Sequence, residues 1–237
     1  MEATYATVPN QTHAGPPLWL LAILFTVFFL AGLYPVTAFA GKPYWPGPLE
    51  APEVIVPYFQ THSTAVLTCL FLHVGAAICL GLLTAATVSR MFFLGVRSAG
   101  PWIALFGGLL TAFNIFAGSL ILWVMIHPGV AGQPSVLLAL YYLSYAFGGP
   151  GFSMPLGILM AGISIPAAFM RLLPKWVIIL GLALAVTGEL SWLHLIRPSL
   201  LFLIPLTRFP GFVWLIAAGF ALPKTARSPK GDPEIAT

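Results

Sequence analysis

The residues able to do chemistry in this chain cluster in one apolar stretch. GELSWLHLIRPSLLFLIPLTRFPGFVWL, residues 188–215, holds Glu189, His194, Arg197 and Arg208 among aliphatic and aromatic side chains. A lone charge at mid-bilayer costs a few kcal/mol on insertion scales, and pairing with hydrogen bonds is the usual remedy. A tight turn at 197–199 would make this stretch a hairpin. Glu189 and Arg208 would then lie level, roughly 12–16 Å below the turn at the rise of an α-helix. An ion pair facing the bundle interior is expected. Pro205 and Pro210 remove two backbone donors and free the carbonyls of Leu201 and Leu206. The Arg208 fork, rich in donors, is expected to serve them.

A second constellation lies earlier. His62, Cys69 and His73 point within about 20° of one direction on a helix, and Thr84 and Thr87 extend the stripe. Such a stripe faces protein or a water-filled cavity rather than lipid. Asn114 falls at a similar depth in the next span. The pocket these residues suggest is lined by His73, Cys69, Asn114, Glu189, Trp192 and Arg208. Tyr141, Tyr142 and Tyr145 stand near its outer mouth. The ligand-contacting set is therefore Glu189, Arg208, His73, Asn114, Trp192 and Tyr145. Each residue also has a plainer role: a histidine on a carbonyl, a cysteine as small packing, tyrosines as interfacial anchors.

Metal and cofactor chemistry find little support. His62, His127 and His194 would share the outer face, but no HxxxH or CxxC spacing exists. No lysine lies in the last span to form a Schiff base with retinal. Phosphate loops, nucleophile elbows and dinucleotide fingerprints are absent from the sequence. No metal and no cofactor is expected.

The elements that must position these groups are transmembrane helices. Of 237 residues, 59% are hydrophobic and 7% charged, against about 25% charged in a soluble domain. With mean hydropathy of +0.96, the chain cannot face water on all sides, and its partner is the lipid bilayer. The net charge of +4 sits at the ends of apolar runs and gives no basic surface for nucleic acid. Cys69 and Cys79, about 15 Å apart along one helix, cannot bond to each other.

Spans are expected at 18–40, 61–88, 101–126, 135–170, 176–196 and 200–222. The fourth region is too long for one span and is interrupted by FGGPGFSMP, residues 147–155. Residues 135–146 then form a short re-entrant or interfacial helix, and 155–170 the main span. The fold class is all-α, a polytopic transmembrane helix bundle of six spans plus that short helix, with seven spans as the alternative. Six spans place Arg90, Arg97, Arg171, Lys175, Lys224, Arg227 and Lys230 on the cytoplasmic side, as the positive-inside rule favours. The chain divides into a cytoplasmic N-terminal tail (1–17), the bundle (18–223) and a disordered cytoplasmic tail (224–237). The proline-rich outer loop, 41–60, is expected to be extended and stiff.

FGGPGFSMPLGILMAGISIPAAFMRLLPKWVIILGLALAVTGELS, residues 147–191, resembles the C-terminal half of a bacterial six-helix membrane family known as domain of unknown function 4386. That family shows a short apolar helix, a glycine-rich break, a span, and a turn like RLLPKW into the next span. YFQTHSTAVLTCLFLHVGAAICLGLL, residues 58–83, resembles its early helix pair, and the likeness covers most of 58–223. It implies a six-helix architecture and the bacterial cytoplasmic membrane. The family has no assigned activity, so no residue role follows from it.

Three readings of function remain. One is a binding or transport protein whose polar intramembrane pocket takes a small hydrophobic, amphipathic or lipid-like molecule. Another is an intramembrane enzyme with Glu189 as acid and His73 as base. The third is an accessory subunit packing on a partner through Gly107, Gly108, Gly118, Gly157 and Gly162.

Overall fold

A computed structural model describes residues 11–226. The helices run in the order α1 (Leu18–Leu33), α2 (Pro52–Thr61), α3 (Ser63–Phe93), α4 (Gly100–Met125), a single turn α5 (Pro128–Ala131), α6 (Pro134–Gly148), α7 (Pro150–Met170), α8 (Lys175–Leu190) and α9 (Leu203–Ala221). Short 3-10 turns extend α1 (Tyr34–Val36) and α8 (Ser191–Leu195), and another (Pro198–Phe202) leads into α9. Six segments are long and apolar enough to cross a membrane: Leu18–Val36, Ser63–Phe93, Gly100–Met125, Pro134–Met170, Lys175–Leu195 and Pro198–Ala221. Their outward faces carry large apolar side chains such as Phe71 at 73% exposure and Phe169 at 85%. Six spans of this length with apolar outward faces fit a lipid bilayer. The chain is an all-α, multi-pass membrane protein.

The six spans close into a ring, each packed on the next in the order α1, α3, α4, α7, α8, α9 and back to α1. Small residues set the approach of α4 to α7. A methyl group on Gly107 would lie 2.6 Å from the Pro155 carbonyl, so only glycine lets the two backbones meet. Helix α6 packs on α4 and α7 in one half of the bundle.

An even number of spans returns both termini to one face. There the chain ends pair with each other: Thr12 and Thr225 form an antiparallel bridge. The His13 amide donates to the Lys224 carbonyl at 2.9 Å, and the Ala226 amide to that of Gln11 at 3.1 Å. Residues 224–226, the start of the tail expected to be disordered, carry this pairing. The rest of that expectation, like the tail before residue 11, lies outside the described residues.

Two further expectations are corrected. The outer loop is not simply extended, because α2 forms within it. Pro52 occupies the first helical position, where proline's fixed φ is already helical and its missing donor is not needed. Ile55, Tyr58 and Phe59 then bury one face against Leu122, Met125, Leu137 and Tyr141. The break expected over 147–155 is confined to Gly149, with φ −91° and ψ −100°. Pro150 follows as the first residue of α7, and Pro155 lies inside the helix. The carbonyl that Pro155 leaves without a helical donor, that of Gly151, receives the Asn114 side-chain amide instead.

Candidate functional site

A cavity of about 570 Å³ lies against the break between α6 and α7, at Gly148 and Gly149, and is within the range of ligand pockets. Its lower walls come from Phe29, His73, Asn114, Phe152 and Arg208, and its upper walls from Thr37, Trp45, Leu122 and Leu201. Phe202 and Pro205 line it while also being exposed, so it reaches the surface between the end of α1 and the start of α9. Arg208 follows Pro198 by about ten residues, which places it roughly 15 Å below the end of the bundle where α8 turns into α9. The cavity therefore runs from that end to about half-way along the spans.

Arg208 has a different partner from the one its sequence suggests. Its Nη2 donates to the Gly148 carbonyl, the last residue of α6. Terminal carbonyls of a helix lack internal donors and carry its negative dipole end, so a cation caps α6 there. Two neighbouring aromatic rings lie against the guanidinium: Cζ lies 4.6 Å from the Phe152 centroid and 5.5 Å from that of Phe29. Phe212 packs edge-on against Phe29 at 5.1 Å, completing an aromatic floor. The Arg208 Nε is buried with no hydrogen-bond partner.

The ion pair expected between Glu189 and Arg208 does not form. Glu189 is exposed on α8 and is not among the residues lining the cavity. The level matched, but the azimuth did not: α8 turns Gly188, not Glu189, toward α7, where Gly188 packs on Ser153 and Gly157. Trp192 likewise faces outward at 43% exposure and does not line the cavity. Nor does Arg208 serve the carbonyls of Leu201 or Leu206; its one hydrogen bond among the described residues goes to α6.

Four other residues singled out from sequence do meet at this cavity: Cys69, His73, Asn114 and Tyr145. Their polar atoms are largely engaged. His73 Nε2 lies 3.2 Å from the Phe29 carbonyl, so that nitrogen carries the proton and donates. Its Nδ1 is then free to accept from the Cys69 thiol, 3.7 Å away. Gly32 makes the contact between α1 and α3 possible, since a methyl group there would meet the His73 ring at 2.8 Å. The His194 Nδ1 donates to the Ser191 carbonyl at 2.9 Å. Its Nε2 therefore accepts from the Tyr145 hydroxyl at 3.1 Å.

The remaining tyrosines and histidines divide their work. Tyr141 is buried and donates to the Pro46 carbonyl at 2.8 Å, pinning the outer loop, while Tyr142 is exposed. Trp45 from that loop packs on Phe59 and roofs the cavity. His62 stacks on Tyr58 and His127 caps α5, each apart from His194. Among the described residues no three His, Cys, Asp or Glu side chains gather closely enough to hold a metal.

Sequence reasoning missed the aromatic floor of Phe29 and Phe152 and the roof of Trp45. Phe152 carries a signal, standing beside the glycine break, but Phe29 is one of many phenylalanines in an apolar helix. No protein family, curated protein or solved structure matches the chain.

Proposed function

We propose that this membrane protein binds, and in moving it across the bundle transports, a small amphipathic or lipid-like molecule in the cavity above Arg208. The observation that carries the reading is a cationic side chain at the base of a mainly apolar cavity of about 570 Å³ that opens to the bundle surface. A guanidinium held at mid-bilayer depth is costly, and a broken helix pair lining a cavity is the usual setting of membrane transport sites. The acid–base alternative for Glu189 lacks support, since that carboxylate stands outside the cavity. The basic end of the bundle, with Arg97, Arg171, Lys175 and Lys224, faces the cytoplasm of a bacterial cell in this proposal. Membership of the six-helix family belongs to the same proposal. It is supported by the succession of short helix α6, glycine break, span α7 and the Pro174 turn into α8.

Native mass spectrometry of the detergent-solubilised protein tests the reading. Leu33 lines the cavity and is half-buried, so Leu33→Trp fills it from one wall. A bound small molecule on the wild type that is lost from Leu33→Trp is the expected result. Equal adducts on both, or none on either, would sink it.

A further inference from the structure

The balance of donors and charges at the cavity floor narrows the ligand. Asn114 spends its amide on Gly151, Ser144 donates to the Gly118 carbonyl and Ser119 to that of Ile115. The His73 ring is occupied at both nitrogens. Arg208 is the exception: one of its donors is engaged, and Nε is buried without a partner. No carboxylate among the described residues answers its charge. Glu50 accepts from the Gly47 amide in the outer loop, Glu53 is exposed near the start of α2, and Glu189 is exposed on α8.

Geometry supplies the orientation. Phe152 and Phe29 stand together on one side of the guanidinium, their centroids 5.4 Å apart and 4.6 and 5.5 Å from Cζ, which leaves its remaining donors for an acceptor on the side away from the rings. Such donors match a carboxylate or another small oxyanion. Above it the walls are mainly apolar, with Leu33, Val36, Ile115, Leu122, Leu201 and Phe202 beside the hydroxyl of Thr37. Depth then separates two sources of such an anion. A phospholipid of the outer leaflet keeps its head at the surface and meets the level of Arg208 only with its chain ends. A small acid entering from the outer mouth reaches Arg208 head first and leaves its apolar body among the aliphatic side chains, under Trp45.

We infer that the cavity takes a small amphiphilic acid, its anionic head bound by Arg208 and its apolar body directed toward Trp45. This rests on the reading of the cavity as a binding site. The test is binding of radiolabelled decanoate to the full chain in phosphatidylcholine nanodiscs, with decanol and decylamine as competitors. Decanoate is expected to bind, and both competitors to act at least about tenfold more weakly, the size of one charge-assisted contact. Arg208→Gln should lose about as much, while Arg208→Lys, which keeps the charge, should recover part of it; that recovery separates loss of the site from loss of the fold. Equal competition by decanol, with Arg208→Gln unchanged, would overturn the anionic assignment and leave the cavity reading standing. No saturable decanoate binding, with native spectra of the wild type free of any adduct, would overturn both. Loss of decanoate binding in phosphatidylglycerol nanodiscs would give the site to a lipid headgroup and overturn the small-acid assignment.

Discussion

At the scale of single residues, the account turns on which carbonyls lack a donor and what supplies one. Asn114 answers the Gly151 carbonyl, which Pro155 leaves free. Replacing Asn114 by Leu orphans that carbonyl and is expected to cost about 1–3 kcal/mol. Replacing Pro155 by Ala returns a backbone N–H to the same carbonyl, so the double variant should recover most of the loss. Thermal unfolding of the four proteins in detergent measures the coupling; additive losses would show that Asn114 acts elsewhere. Gly32 makes a second case. Gly32→Val drives a branched side chain into the His73 ring, and overpacking of this kind costs about 1–3 kcal/mol. The same unfolding measurement, with Gly75→Val as a looser control against Phe28 at 3.5 Å, separates this contact from a general effect of branching on a helix.

At the scale of elements, the chain ends form a clasp whose chemistry depends on pH. The His13 Nδ1 accepts from the Gly15 amide at 3.1 Å, so Nε2 carries the proton and faces Ser89 Oγ at the same distance. Burial, with Arg90 and then Lys224 nearby, holds the His13 pKa below its ordinary value. The folded protein therefore binds this proton less readily than the unfolded chain, and His13 contributes stability above pH about 6.5 that is lost as pH falls toward its lowered pKa. Limited proteolysis of the terminal segments should accelerate over that window in the wild type and be flatter in His13→Asn. An identical pH profile in the two would remove His13 from the clasp. The elements themselves were largely legible in sequence, because runs of about 20 apolar residues have few alternatives to a spanning helix. The α2 helix and the confined break at Gly149 were not. Both depend on proline, which a sequence reader takes as a helix breaker but which opens α2 and α7 at their first turns.

At the scale of the whole molecule, depth along the membrane was readable and rotation about each helix was not. Counting residues placed Glu189, Arg208, His73 and Asn114 near one level, and four of the side chains singled out stand around the cavity with Arg208. Glu189 and Trp192 were misplaced because every face of α8 is apolar enough to meet lipid, so no periodic pattern marks its inner side. The central claim is that the charge of Arg208 is answered from the cavity and not by Glu189. The most direct measurement is the melting temperature of the wild type, Glu189→Gln, Arg208→Met and the double variant, each with and without decanoate. The account predicts that Glu189→Gln changes stability by no more than about 0.5 kcal/mol and couples to Arg208→Met by no more than that, with decanoate raising the melting temperature of every protein that retains Arg208. A strong coupling between Glu189 and Arg208, with no shift on adding decanoate, would contradict it.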